Sequence, residues 1–384
     1  MTIKNIKPIK VSGSRFCVRY QIQGVEDTAY SLAEKICVEE TVEYPQELIL
    51  QSDIRENIFG RIEDFRLSNT GQYESIISYA DETSGFELPQ LINVIFGNIS
   101  MMPGIRVLDI MLSGKILKKF KGPRFGISGL RELLGIKDRP LLATAIKPMG
   151  LDAQEFSRMA MELALGGIDI IKDDHGLANQ SFAPFNERVT RVSDAILNAN
   201  EKTGRQTIYM PNVTGPFEVM MERINFAKKI GIKGLMLLPG YCSFDYIRSI
   251  AENDEIGLPI MAHPAFLGSY ALSPDFGMHH SVLHGKLVRL AGADLSVFPN
   301  YIGRFSYSRE DCIGINQGCK SPMEHIQPIF PSPGGGIQPD FFKELINVYG
   351  RDVALLISGN LHRQGDDLKK NVEIILDQLR KFSA

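Results

Sequence analysis

The chain contains no tryptophan, no long apolar run and no excess of positive charge. Any site built on an indole ring is thereby excluded. The longest apolar stretches have the length of a strand and break at Gly or a charged residue, which excludes a transmembrane helix. A net charge of −3 over 384 residues offers no basic surface for nucleic acid or for an anionic membrane. Cysteine is scarce and unpatterned: Cys17, Cys37, Cys242, Cys312 and Cys319 are odd in number and have no metal-site spacing. They read as free thiols of a reducing cytoplasm. Met1-Thr2-Ile3-Lys4-Asn5 has no apolar stretch of the signal-peptide kind, in keeping with a cytoplasmic protein.

What is present is an ordinary globular composition, 44% hydrophobic and 23% charged, at a length suited to a barrel plus a smaller domain. Phe16, Val18, Tyr20 and Ile22 alternate with polar neighbours and predict a half-buried strand. Helical spacing follows over 28–38, then strands over 60–67 and 73–80 joined by a turn at Asn69-Thr70-Gly71. A helix over 88–96 and a strand over 106–112 complete a β-α-β-β-α-β order. That order predicts a small ferredoxin-like α+β domain, residues 1–135, ending in a basic linker and a connecting segment. From 136 to 384 the pattern becomes strand then helix, with candidate strands over 141–146, 168–172, 207–211, 234–238, 259–262, 294–298, 326–330 and 354–357. Asp152 with Glu155 forms a capping box, Ser243 caps a second helix and Pro339 opens a third. Eight such units predict an α/β fold, a C-terminal (β/α)8 TIM barrel working at the C-terminal ends of its strands.

The second barrel strand carries the densest chemistry. Gly166-Gly167-Ile168-Asp169-Ile170-Ile171 runs into Lys172-Asp173-Asp174-His175, four ionisable side chains in a row where a strand meets solvent. Carboxylate oxygens suit a hard cation such as Mg²⁺, whereas a free lysine is no ligand for one. The cluster becomes coherent if Lys172 carries CO₂ as a carbamate, an anionic oxygen ligand. Elsewhere, Lys147 ends the first barrel strand and reads as an acid/base of lowered pKa. Asn212 follows strand three, Asn300 and Arg304 follow strand six, and Arg304 reads as part of a charged lid. His263 after strand five reads equally as a ligand or proton shuttle and as a core histidine. His279, His280 and His284 read as packing or exposed residues on a helix. Gly334-Gly335-Gly336 after strand seven and Ser358-Gly359-Asn360 after strand eight free backbone N–H groups for a phosphate.

Ala145-Ile146-Lys147-Pro148, Gly166-Gly167-Ile168-Asp169 with Lys172-Asp173-Asp174, and Arg289-Leu290-Ala291-Gly292-Ala293-Asp294 resemble the large subunit of ribulose bisphosphate carboxylase (RuBisCO) over nearly the whole chain. The resemblance implies a carbamate on Lys172, Mg²⁺ held by it and by Asp174, and enediolate chemistry on a phosphorylated sugar. It also implies a homodimer with shared active sites, Glu39 and Asn98 reaching across to the other copy. The departures are as telling. His175 replaces a metal-binding Glu, so that either Mg²⁺ affinity falls or the site leans toward Mn²⁺, with ligation by His175 set ahead of a proton-carrying role. Met149 replaces the second lysine of Lys-Pro-Lys, Pro264 an arginine for a second phosphate, Val297 a histidine and Arg304 a flexible-loop lysine. A Thr-Trp pair is missing, as the Trp count requires.

These departures imply a form IV, RuBisCO-like protein that fixes no CO₂ and acts on a substrate with one phosphate, held by Gly335, Gly336, Ser358, Gly359 and Asn360. Decarboxylation of a 3-oxo sugar-acid phosphate is the reaction expected first, with Lys147, Lys172, His263 and Arg304 doing the chemistry. The Trp-free N-terminal loop offers no obvious apolar pocket for a methylthio group, which sets isomerisation or enolisation of a methylthioribulose-type phosphate second. A non-catalytic binding or stress protein on the same fold is the reading of another class.

Overall fold

A computed structural model describes residues 9–49 and 52–382. The N-terminal residues read above for a signal peptide lie outside them. The chain divides into two compact units. No helix among the described residues is long and apolar enough to cross a membrane, and all five cysteines are unpaired.

The first unit comprises the residues up to Phe120 together with 268–286 and 323–326. Strands β1 (Arg15–Ile22), β2 (Arg61–Leu67), β3 (Tyr73–Ala80) and β4 (Ile105–Met111) form an antiparallel sheet in the order β4-β1-β3-β2. Period-two alternation buries Phe16, Val18, Tyr20 and Ile22 completely, as the sequence pattern requires. The helices Glu26–Glu39 and Leu88–Phe96 complete the expected ferredoxin-like order. The Tyr20 hydroxyl donates to the Ile95 carbonyl at 2.8 Å and ties the second of them to β1. A strand not legible in the sequence extends this sheet: Gly277–Met278 (β10) pairs in parallel with Arg106 and Val107 of β4.

The second unit is the barrel. Strands β5 (Leu141–Ile146), β6 (Ile170–Asp173), β7 (Ile208–Met210), β8 (Leu235–Leu237), β9 (Ile260–Ala262), β11 (Leu295–Pro299), β12 (Phe330–Gly334) and β13 (Ala354–Leu356) are parallel, in the orders β13-β5-β6-β7 and β12-β11-β9-β8. A bridge between Asn212 and Met236 joins β7 to β8. The Ser332 hydroxyl, donating to the Ala354 carbonyl at 2.9 Å, links β12 to β13.

Three expectations shift. The unit boundary falls after Phe120, not after residue 135. Helix Gly126–Leu134 belongs to the barrel, because Ile127, Leu130 and Leu134 pack into its core with Leu141, Ala143 and Ile170. Barrel strand seven lies at Phe330–Gly334, four residues beyond the expected 326–330. The segment around the histidines is a π-helix, Ser281–Leu287, with His280 and His284 buried.

Candidate active site

Strand β6 ends with Lys172 and Asp173, both buried, and Asp174 lies in the turn beyond. Lys172 is 2% exposed, and its ammonium donates to the Asp173 carbonyl at 2.9 Å. Burial lowers its pKa to about 8; Lys147 pushes it the same way, while Asp174 and Asp173 resist. Lys147, just past β5, places Nζ 3.3 Å from Asp174 Oδ2. For Asp174, burial favours the acid, but Lys172, the Gly176 N–H, His175 and Lys147 together hold the carboxyl below its ordinary range. His175 Nδ1 lies 3.5 Å from Asp174 Oδ1. Burial, aided by Lys172, Lys147 and Arg304, keeps this imidazole neutral against the pull of Asp174. The His263 ring stacks on that of His175, centroids 4.5 Å apart and planes 11° apart. Burial, then Lys172, His175 and Lys147, lower His263 well below the ordinary histidine value.

This cluster stands on Asp173 and Asn212, which the sequence singles out, and on Tyr209 and Arg188, which it does not. Asp173, fully buried, receives the Tyr209 hydroxyl at 2.5 Å, the Arg188 guanidinium at 3.1 Å and the Asn212 N–H at 3.0 Å. Arg188 also donates to the Ala178 and Ala183 carbonyls, and the Asn212 amide to those of His175 and Leu177. The loop bearing Asp174 and His175 is thus fastened from beneath. Arg188 lies in the largely polar nineteen-residue helix Phe185–Thr203, where an arginine gives little warning of such a role, though its burial forces it to find acceptors.

The glycine loops are built with care of another kind. Arg304, exposed, donates its backbone N–H to the Gly335 carbonyl at 3.0 Å and lies over the Phe305 ring. Gly335 and Gly336 have φ of 86° and 131°, conformations that favour glycine, and among the described residues nothing accepts their N–H groups. Ser358 Oγ accepts the Ala145 N–H at 3.2 Å, tying the end of β13 to β5. The Asn360 amide donates to the Ile337 carbonyl at 2.8 Å and holds the two glycine loops together, a positioning role rather than a free donor. Gly359 is exposed between them. Glu39 and Asn98 lie in the first unit. There it is the neighbouring Glu40, buried, that accepts the Gly97 and Ile99 N–H groups at 2.8 Å each and shapes the Asn98 turn.

Eight parallel strands with a lysine–carboxylate cluster at their C-terminal ends define a (β/α)8 barrel whose chemistry sits on those ends. Residues 126–305 match the family model of the ribulose bisphosphate carboxylase large chain, catalytic domain. The chain belongs to that family, in its RuBisCO-like, form IV branch. A solved RuBisCO-like protein from Rhodopseudomonas palustris superposes with a TM-score of 0.87 at 35% identity, over 96% of this chain and 99% of that one. A 5-methylthioribulose-1-phosphate isomerase from Rhodospirillum rubrum is 33% identical over 92% of this chain and 93% of its own length. A 2,3-diketo-5-methylthiopentyl-1-phosphate enolase from Bacillus pumilus is 35% identical over 78% of this chain and 74% of its own length.

Proposed function

We propose that this protein moves a proton beside the ketone of a singly phosphorylated ketose with an alkylthio end, the enolisation or isomerisation for which its relatives are named. The observation that carries this reading is the buried Lys172 amine set among Asp174, Lys147 and Asp173 at the ends of adjacent strands. Decarboxylation of a sugar acid, the first expectation, falls behind because neither relative is named for it. Its premise also weakens. Met149, 51% exposed, brings its terminal methyl against Gly176 in the loop of Asp174 and His175, where it offers an apolar neighbour to an alkylthio group.

Among the described residues no three His, Cys, Asp or Glu side chains group as a ready-made metal site. Three donors are reached when Lys172 becomes a carbamate: its amine adds to CO₂, an N–C bond forms and one proton leaves. The residues fit this. Lys172 at about 8 has a neutral amine to offer, Asp174 is held ionised and His175 keeps a lone pair. Lys172, Asp174 and His175 would hold a divalent cation, Mg²⁺ or Mn²⁺, and such an ion would supply positive charge for a developing enolate oxygen, on the order of 3 kcal/mol of barrier. Lys147 would take the C–H proton, an oxygen on a carbamylated Lys172 being the other base placed there, and the N–H groups of Gly335 and Gly336 would take the phosphate. In a homodimer with shared sites, Asn98 and Glu39 would reach the other copy's substrate.

Proton NMR in D₂O with bicarbonate and Mg²⁺ or Mn²⁺ tests the reaction. Deuterium entering a methylthioribulose phosphate without CO₂ release supports the reading. Release of CO₂ from a 3-oxo sugar-acid phosphate returns the decarboxylase, and inertness toward both returns a non-catalytic protein.

A further inference from the structure

Two of the site's histidines form a stack that the proposed chemistry does not require. We infer that His263 is a positioning residue: its ring holds that of His175 edge-on to Asp174, which makes an imidazole nitrogen a fixed metal donor and commits the site to Mn²⁺ or a similar imidazole-tolerant ion over Mg²⁺. The inference rests on the proposed metal site and adds which ion it selects and what enforces the choice.

His263 is itself held firmly. Its backbone N–H donates to the Leu237 carbonyl at 2.9 Å, and its ring Nδ1 accepts the Ala265 N–H at 3.3 Å. An Nδ1 that accepts is unprotonated, so the neutral ring carries its proton on Nε2 and has no lone pair left to give a metal. The turn that presents it is locked to the loop after β8. A Cβ on Gly240 would meet the Ala265 carbonyl at 2.5 Å, and Phe266 holds φ at 72°. His175, by contrast, sits in an open turn with 46% of its side chain exposed and would be free to swing without a partner. Parallel stacking at 4.5 Å removes that freedom but leaves the ring edge open. That edge already lies beside the carboxylate, Nδ1 to Oδ1 at 3.5 Å, beyond a good hydrogen bond. A carboxylate oxygen and an imidazole nitrogen this close together would be able to share one cation. A nitrogen donor suits Mn²⁺ better than Mg²⁺, which demands oxygen.

Mn²⁺ titration in bicarbonate, followed by the EPR signal of free Mn²⁺ and by electron spin-echo modulation of the bound ion, tests this. The wild type should bind Mn²⁺ in preference to Mg²⁺ and show ¹⁴N modulation. His175→Glu should lose the modulation and let Mg²⁺ compete. His263→Ala should weaken Mn²⁺ about 10- to 100-fold, the usual cost of losing a residue that orients a ligand. His263→Phe, a flat ring without nitrogen, should restore most of the affinity and keep the modulation. Mn²⁺ bound without ¹⁴N modulation, or modulation that survives His175→Glu, overturns the inference and removes His175 from the proposed metal site, and leaves the proposed reaction standing. A wild type that binds neither ion overturns both.

Discussion

A lysine amine 2% exposed, beside one aspartate and within the field of a second lysine, is unusual enough to predict from. Lys172→Ala should abolish turnover and CO₂-dependent metal retention together, measured by the D₂O exchange assay and by Mn²⁺ binding; full activity would exclude a carbamate. The pH dependence follows from the lowered amine. Only neutral amine adds CO₂, and burial brings the midpoint down from 10.5 to about 8. At fixed dissolved ¹³CO₂, the carbamate carbon signal should therefore grow as pH rises through about 8 and fade below it. A midpoint still near 10.5 would mean that the site does not destabilise the ammonium. At this scale the sequence was generous where chemistry is tied to residue type: Lys147, Lys172, Asp174 and His175 stand out at strand ends and the fold brings them together. It was silent on Glu40, and for Ser358 and Asn360, which it marked for a phosphate, it was silent on side chains that serve backbone groups far along the chain, because no periodic pattern records such bonds.

At the scale of strands, the motif residues divide between the two ends of the barrel. Asp169 and Asp294 precede β6 and β11 and face the N-terminal end, where the fold is stabilised and no substrate binds. Asp169 takes both arms of Arg139 at 2.7 Å, and Asp294 accepts the N–H groups of Phe125, Gly126 and Ile260. Asp294→Ala strands three donors, two of them buried, and should cost about 3 kcal/mol in denaturant unfolding, without changing the KM of protein that remains folded. Half of the family motif is thus scaffold. At the opposite end Tyr209→Phe removes one of three donors to Asp173 and loosens the strand end beneath Lys172. It should lower kcat and Mn²⁺ affinity together, about tenfold each, with the fold intact by circular dichroism. A drop in stability alone would assign Tyr209 to packing. Proline explains the misplaced seventh strand. Pro331 and Pro333 donate no hydrogen bond, so the residues around them read poorly as a central strand. Their lack of donors also accounts for the side-chain link from Ser332 to β13 where a ladder would be expected.

Across the whole molecule, chain order and compact units part company, and this has a consequence for dissection. Eight barrel strands were legible because each has its own apolar run, but periodicity cannot show that 268–286, lying between β9 and β11, folds with the first unit. Within that unit, Gly277 and Met278 pair with β4. Lys286 reaches Asp109 at 2.5 Å and the Ile110 carbonyl at 2.9 Å, while Val282 and Leu283 are buried. A barrel cut out as residues 121–384 keeps this segment and removes the sheet it completes. Its backbone groups at 277–278 and its apolar side chains are then exposed. The fragment should lack a cooperative thermal transition, and near-UV circular dichroism and gel filtration should report an expanded or aggregated species, whereas the full chain melts sharply. A well-folded monomeric fragment would show that 268–286 finds other cover, and that the barrel owes the first unit nothing for its own stability.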